Sequence, residues 1–126
     1  MSWPGADGLT EAIIGAAIAV HRELGPGLLE SAYEACLTFE LEARGLGVER
    51  QRDLPVVYKG VRIDCGYRID LLVADEVLVE LKTVGQLREV HEAQVLSYLK
   101  LSGCRVALLI SFNVPVLHEG IRRFVR

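Results

Sequence analysis

GYRIDLLVADEVLVELKTV, residues 66–84, combines two apolar runs that are typical of buried β-strands with three charges at unexpected positions. Asp70, Glu80 and Lys82 lie among Ile, Leu and Val, the residues that strands favour. Charged side chains are seldom buried unless they are paired or bind a metal. The three charges therefore indicate an ion-paired or functional site within a sheet.

Side-chain alternation assigns these residues to faces. Because successive side chains of a strand point to opposite sides, Glu80 and Lys82 share a face with Leu78. Three apolar residues take the other face of that strand: Val77, Val79 and Leu81. Both faces are largely apolar, which predicts a central strand covered on both sides. On the preceding strand, Asp70 is predicted to face away from four other residues: Tyr67, Ile69, Leu71 and Val73.

The length of the connecting loop decides whether Asp70 and Glu80 meet. A two-residue loop at 75–76 puts Asp70 opposite Leu81, on the other side of the sheet from Glu80. A three-residue loop at 74–76, or a bulge, puts Asp70 directly opposite Glu80. Chemistry that uses both carboxylates requires the second arrangement.

Two facing carboxylates repel each other, and a hard divalent cation such as Mg²⁺ or Mn²⁺ relieves the repulsion. Lys82 beside them can polarise a water or a phosphate oxygen, and a metal with a lysine suits phosphodiester hydrolysis. The alternative is a buried ion cluster of Asp70, Glu80 and Lys82 that only holds the sheet. Such clusters often contribute little net stability.

The remaining periodicity predicts one α/β (α+β) domain over residues 10–126, preceded by a flexible tail at 1–9. Thr10 is the expected N-cap of a first helix that ends at Gly25-Pro26-Gly27, and a second helix follows. Three strands come next, and Pro55 favours an edge position or a bulge for the first of them. The predicted order is ααβββαβ(β), a mixed central sheet flanked by helices.

The third helix ends at Gly103 and is predicted to turn four apolar residues inward: Val90, Ala93, Leu96 and Leu101. His91, Gln94 and Tyr98 are spaced i, i+3 and i+7, so they share one helix face.

Composition narrows the function classes. The 126 residues carry a net charge of −3, which argues against a broad nucleic-acid footprint but not against a small basic patch. No apolar run reaches bilayer length and no secretion signal is present, so a cytoplasmic protein without a membrane partner is expected. Three widely spaced cysteines are expected to be buried, reduced thiols: Cys36, Cys65 and Cys104.

Several stretches together resemble a known nuclease family. Asp70, nine residues, then Glu80-Leu81-Lys82 resembles the motif of the PD-(D/E)XK nuclease superfamily, with Ile69 in place of the usual proline. GLLESAY, residues 27–33, fits the GxxExxY motif that names a small bacterial family within that superfamily. Three further stretches are similar to that family: VHRELGPG (20–27), HEAQVLSYLKLSG (91–103) and LLISFNVPVLHEGIRR (108–123). The resemblance covers residues 10–124.

The resemblance implies a PD-(D/E)XK nuclease-like core in which Asp70 and Glu80 bind metal and Lys82 acts at the scissile phosphate. It also implies that an acid from the early helix, here Glu30, is an extra metal or water ligand. The alternative for Glu30 is an acid that complements the helix dipole. Tyr33 lies one turn on and shares the face of Glu30, and its alternative is a packed aromatic.

On the third helix, Gln94 and Tyr98 match a QxxxY that several superfamily nucleases carry beside the active site. Gln94 can bond a phosphate or position the lysine, and Tyr98 can donate a hydrogen bond. His91 can contact DNA or buffer a proton, or it is an ordinary surface histidine.

The implied function is a Mg²⁺- or Mn²⁺-dependent nuclease that hydrolyses phosphodiester bonds of DNA or RNA. The alternative is a catalytically inactive module that binds nucleic acid or protein on the same fold. The acidic balance and the short chain favour that alternative or a need for partners, either a second copy in a homodimer or another protein. A small-molecule phosphodiesterase, the third possibility, requires a closed pocket.

Overall fold

The computed structural model describes residues 5–126, with side chains from residue 8 onward. In chain order the elements are α1 (Gly5–Leu24), α2 (Glu30–Ala43), β1 (Val48–Asp53), β2 (Val56–Tyr58), β3 (Val61–Ile63), β4 (Arg68–Val73), β5 (Val77–Lys82), α3 (Glu89–Ser102), β6 (Val106–Ser111), a 3-10 helix (Leu117–Gly120) and β7 (Ile121–Val125).

Five strands form one mixed sheet in the order β1-β4-β5-β6-β7. β5 and β6 are parallel, since α3 crosses over between them, and the other neighbours are antiparallel. α1 and α2 cover one face and share a core with Val79 and Leu81, while α3 covers the other face and packs on Leu78. The predicted mixed sheet flanked by helices is confirmed, and so is the central position of the strand that carries Glu80.

The loop between β4 and β5 has three residues, as a meeting of Asp70 and Glu80 requires. Val73 pairs with Val77, and the amide of Glu76 donates to the carbonyl of Val73 at 3.0 Å. Ala74 and Asp75 both have positive φ, 53° and 56°, which gives the tight reversal that suits the twist of a hairpin.

The first two predicted strands are each split in the structure, the first of them at Pro55, where the sequence favoured an edge position or a bulge. The chain leaves the main sheet after β1 and forms a separate two-stranded sheet from β2 and β3 before it returns as β4. Pro55 cannot donate to a ladder, and Gly66 has a φ of 79°, so the chain breaks at both points. β1 itself is an edge strand, as Pro55 favoured.

Two predictions about the helices are wrong. α1 begins at Gly5, and Leu9 and Thr10 are buried within it, so Thr10 is not an N-cap. Residues 5–9 of the predicted tail are thus helical, and residues 1–4 lie outside the described part. In α3, Val90 is 69% and Leu96 53% exposed, and Ala93 is also exposed. Of the four residues predicted to face inward, Leu101 is partly buried against the core, while the buried side chains of α3 are Val95, Tyr98 and Leu99. Apolar residues lie all around this helix, so periodicity did not single out its inner face.

The cysteines are all free, but Cys65 is exposed rather than buried. It lies between β3 and β4, in the segment that leaves the main sheet, where there is no core to cover it. Cys36 and Cys104 are half-buried. Within residues 5–126, no helix combines the length and apolar character that crossing a bilayer requires.

Candidate active site

β4 and β5 diverge at Asp70, and carboxylates take over the hydrogen bonds between the strands. The regular pairing runs from Val73 only as far as Leu71 opposite Val79. At the next position the amide of Asp70 donates to Oε1 of Glu80 at 3.1 Å, and the amide of Leu81 donates to Oδ2 of Asp70 at 2.8 Å. The two acids therefore meet in the register that the three-residue loop requires.

The side-chain alternation of β4 also breaks at Asp70. Leu71 and Val73 belong to the core under α1 and α2, whereas Ile69 packs in the core under α3. Alternation had placed Ile69 on the side of Leu71, and that prediction is wrong. The divergence of the strands turns the chain between these residues, so Asp70 lies where the sheet opens.

Glu80 is buried, with 3% of its surface exposed. Burial, and after it the charge of Asp70, raises the pKa of this carboxyl to about 8. The amide of Asp70 and the ammonium of Lys82 oppose the shift without cancelling it. Glu80 therefore holds a proton near neutral pH as long as no cation is bound beside it.

The pKa values of Asp70 and Glu30 are raised as well. Burial raises the pKa of Asp70, although the amides of Leu81 and Gln51 favour its charged form. Partial desolvation and then the charge of Asp70 raise the pKa of Glu30 at the exposed first turn of α2. Lys82 lowers the pKa of all three carboxyls, yet the ion pairs found among residues 8–126 do not include it.

The sequence pattern missed two neighbours of this cluster, Glu34 and Gln51. The amide nitrogen of Gln51 bridges Oε1 of Glu34 at 2.5 Å and Oδ1 of Asp70 at 3.2 Å. Arg50 forms an ion pair with Glu34 at 3.0 Å. The spacing of Glu34, four residues after Glu30, was a usable signal. Nothing in the sequence marked Gln51 as a site residue. Its φ of 51° lies in the left-handed region, which a strand residue other than glycine rarely adopts.

α3 brings Tyr98 and Gln94 to the same end of the sheet. The Gln94 amide donates to the Tyr98 hydroxyl at 3.2 Å. Burial raises the pKa of Tyr98, and the charges of Glu80 and Asp70 add to the shift, so the phenol lies within their electrostatic reach. Gln94 and Tyr98 therefore adjoin the carboxylates.

His91 and Tyr33 serve the scaffold in the described structure. Nδ1 of His91 accepts the amide of Arg88 at 2.9 Å and so caps the start of α3. Tyr33 is fully buried and stacks on Phe112 with ring centroids 4.4 Å apart. Its hydroxyl donates to the carbonyl of Gly25 at 2.5 Å and accepts the amide of Leu28 at 3.1 Å. Tyr33 is thus packed in the core and holds the loop that leads into Glu30, while a part for it in the active site stays a prediction.

Comparison with known families decides what this arrangement is related to. The profile of the PD-(D/E)XK nuclease superfamily matches residues 7–124. The chain belongs to the PD-(D/E)XK nuclease superfamily. Comparisons with curated proteins and with solved structures gave no match. Membership supports a nuclease-like function, while assignment to the narrower GxxExxY family stays a prediction.

PD-(D/E)XK nucleases generally use divalent metals, and the donor set of this chain fits such an ion. Asp70, Glu80 and Glu30 offer hard oxygen ligands, and the raised pKa of each reflects negative charge that a cation would neutralise. No group of three or more metal-ligating side chains is already assembled among the described residues. Binding a cation therefore requires the carboxyl groups to move closer to a common point than they lie in the described conformation.

A cleft of about 720 Å³ lies elsewhere, between β1, Arg62 and the C-terminal end of α3. Its lining includes none of the site residues Asp70, Glu80, Lys82 and Glu30. This cleft is therefore not an enclosed small-molecule site at the carboxylates.

Proposed function

We propose that this protein is a nuclease that hydrolyses phosphodiester bonds of DNA or RNA with Mg²⁺ or Mn²⁺. The observation that carries the proposal is the carboxyl cluster of Asp70, Glu80 and Glu30, whose pKa values are all raised, beside the half-buried Lys82. Raised pKa values at a cluster with a specific charge partner are typical of functional sites. Superfamily membership supports the same reaction class.

Asp70 and Glu80 would hold the metal ion, and Glu30 would complete the set of ligands or hold a water. When bound, the ion supplies Lewis-acid stabilisation of the charge on the phosphate. Lys82, the last residue of β5, supplies a positive charge beside the carboxyls. It orients the attacking water and stabilises the negative charge that develops on the phosphate oxygens.

The neighbouring groups keep these side chains in place. Gln51 fixes Oδ1 of Asp70, and the amide of Leu81 fixes Oδ2, so the carboxylate is held at both oxygens. The Gln94–Tyr98 pair offers hydrogen-bond donors and acceptors on the α3 side for a phosphate or for Lys82. Ser111 accepts the amide of Val84 at 3.0 Å, which anchors the chain two residues after Lys82.

Replacement of Lys82 tests the proposal. Lys82→Ala is expected to lower the cleavage rate by on the order of a hundredfold or more, because a stabiliser of the transition state is lost. Binding of the same nucleic acid should change little, since backbone affinity is spread over many phosphate contacts. The measurement is cleavage of a panel of single- and double-stranded DNA and RNA with Mg²⁺ or Mn²⁺, together with binding at one salt concentration.

Lys100→Ala is the matched control, because Lys100 is exposed in the last turn of α3 and the same charge is removed away from the carboxylates. Equal cleavage by the wild type, Lys82→Ala and Lys100→Ala would contradict the catalytic assignment. Absence of cleavage in the wild type, combined with weaker binding by Lys82→Ala, would indicate the binding module instead.

A further inference from the structure

The hairpin formed by residues 54–67, which contains β2 and β3, projects from the end of the sheet that carries the carboxylates. β1 ends and β4 begins at the pair Asp53–Arg68, so the hairpin is inserted between these two residues. Asp70 follows Arg68 by two residues. The amide of Leu54 donates to the carbonyl of Tyr67 at 2.8 Å and closes the base of the hairpin. The hairpin therefore stands beside the candidate active site.

One face of the hairpin is apolar and uncovered within the described part of the chain. The pairs Val56–Ile63 and Tyr58–Val61 share this face, because opposed residues of an antiparallel pair point the same way. Three of these side chains are large and exposed: Tyr58 at 59%, Val61 at 59% and Ile63 at 42%. A two-stranded hairpin alone is marginally stable in water. An exposed apolar face on such a hairpin indicates a binding surface.

The charge of this segment is opposite to that of the whole chain. Residues 54–67 carry two basic side chains, Lys59 and Arg62, and one acidic side chain, Asp64, while the chain has a net charge of −3. At the tip, the ammonium of Lys59 lies 5.4 Å from the centroid of the Tyr58 ring. Lys59 has a φ of 49° in a turn position where Gly or Asn is usual. A cation beside an exposed aromatic ring suits a ligand that has both a phosphate and a planar base.

Two tyrosines connect the hairpin with the carboxylates. Tyr67, at the base of the hairpin, is 47% exposed, and its ring centroid lies 6.0 Å from that of Tyr98. Tyr98 is in turn within electrostatic reach of Glu80 and Asp70. The exposed ring of Tyr67 and the buried ring of Tyr98 thus connect the base of the hairpin with the site.

We propose that the hairpin binds an unpaired, single-stranded stretch of nucleic acid and leads it to the carboxylates. Bases stack on Tyr58 and Tyr67, and phosphates contact Lys59. Single strands are favoured over duplexes because the faces of paired bases are already stacked on one another and are closed to a tyrosine ring. This inference rests on the proposed nuclease function and narrows its substrate class.

Binding in EDTA tests the inference without interference from cleavage. The probe is a fluorescein-labelled oligonucleotide of about 12 nucleotides, single-stranded or annealed to its complement, titrated at one salt concentration with anisotropy as the readout. Tyr58→Ala and Tyr67→Ala are expected to weaken single-strand binding about tenfold or more, with little effect on the duplex. Tyr58→Phe keeps the ring and should keep the affinity.

Phe39→Ala is the matched control, since Phe39 is an aromatic residue 74% exposed on α2, away from the hairpin. Unchanged melting temperatures establish that the variants are folded. Equal losses for single strands and duplexes, or no loss in Tyr58→Ala, would overturn the inference. So would light scattering that shows a wild-type dimer which Tyr58→Ala dissociates, because the hairpin would then bind a second copy.

The two proposals fail in different ways. If cleavage depends on Lys82 but neither cleavage nor binding depends on Tyr58, the nuclease proposal stands and the hairpin proposal falls. If single-strand binding depends on Tyr58 but the wild type cleaves no oligonucleotide with Mg²⁺ or Mn²⁺, the nuclease proposal falls and the hairpin remains a binding element.

Discussion

Glu80 shows how one residue can occupy a strand that should exclude it. Its carboxyl is buried in the central strand and accepts the amide of Asp70, which replaces a hydrogen bond of the ladder. Every buried side-chain nitrogen and oxygen in the described residues has a partner, so the carboxyl does not leave an unsatisfied group behind. Burial of Glu80 therefore raises the pKa of its carboxyl but does not leave a hydrogen bond unmade.

The pKa of Glu80 predicts how stability depends on pH in the absence of metal. Between its ordinary value of 4.5 and about 8, the folded protein holds a proton that the unfolded chain has released. The contribution of this proton to the free energy of unfolding is fully present below pH 4.5 and is lost as the pH rises through about 8. Wild-type protein in EDTA should therefore lose free energy of unfolding over this window, by at most about 1.4 kcal/mol per pH unit from this group.

Glu80→Gln should flatten this profile and be at least as stable as the wild type at pH 8. Urea unfolding at pH 5, 6.5 and 8 provides the measurement. Glu76→Gln, in the exposed β4–β5 loop, controls for the loss of one negative charge. Parallel profiles for the wild type and Glu80→Gln would show that Glu80 is ionised throughout.

At the scale of elements, the position of Lys82 depends on how β5 leaves the sheet. β5 runs parallel to β6, and the amide of Phe112 donates to the carbonyl of Lys82 at 3.0 Å. Ser111 then holds Val84 through its hydroxyl, which donates to the carbonyl and accepts the amide of that residue. Gly120, at the end of the 3-10 helix, packs directly against the backbone of Ser111.

Gly120→Ala should destabilise the fold by about 1–3 kcal/mol, because a Cβ there overlaps the carbonyl oxygen of Ser111 and lies 3.1 Å from Val114. Backbone cannot move aside as easily as a flexible side chain. Gly47→Ala is the control, since its Cβ meets no atom within 4 Å and its φ is not positive. Equal midpoints of denaturation for the two variants would contradict the packing assigned to Gly120.

On the scale of the whole molecule, one end of the sheet gathers side chains from five elements. α2 supplies Glu30, β1 supplies Gln51, β4 supplies Asp70, β5 supplies Glu80 and Lys82, and α3 supplies Tyr98. A ligand that binds only this assembled end stabilises the folded state by mass action, because the unfolded chain cannot reproduce the cluster.

Millimolar Mg²⁺ or Mn²⁺ should therefore raise the melting temperature of the wild type. At a metal concentration of about a hundred times Kd, the expected gain in the free energy of unfolding is about 2.7 kcal/mol. Asp70→Asn and Glu80→Gln should reduce the response, whereas Asp64→Asn, an exposed acid in the hairpin, should not. Differential scanning fluorimetry at constant ionic strength tests this, and a wild type that ignores both metals would refute the metal site.

The sequence by itself determined what depends on neighbouring residues along the chain. The alternation in β5 predicted its two faces, and the apolar character of both predicted its central place in the sheet. The spacing between Asp70 and Glu80 limited the register to two loop lengths, and the acids meet with the three-residue loop or with a bulge but not with a regular two-residue loop. Gly103 correctly marked the end of α3, because its left-handed conformation, with φ 78°, favours glycine.

Only the tertiary structure decided what depends on contacts between distant segments. The rotation of α3 follows from packing on β6, since its apolar residues lie on every side. Ile69 lies on the opposite face of the sheet from the one that alternation predicted, because β4 and β5 diverge at Asp70. Gln51 reaches Asp70 only because β1 pairs beside β4, 19 residues along the chain. Local pattern specifies which face a residue prefers, whereas long-range pairing specifies which other residue it meets.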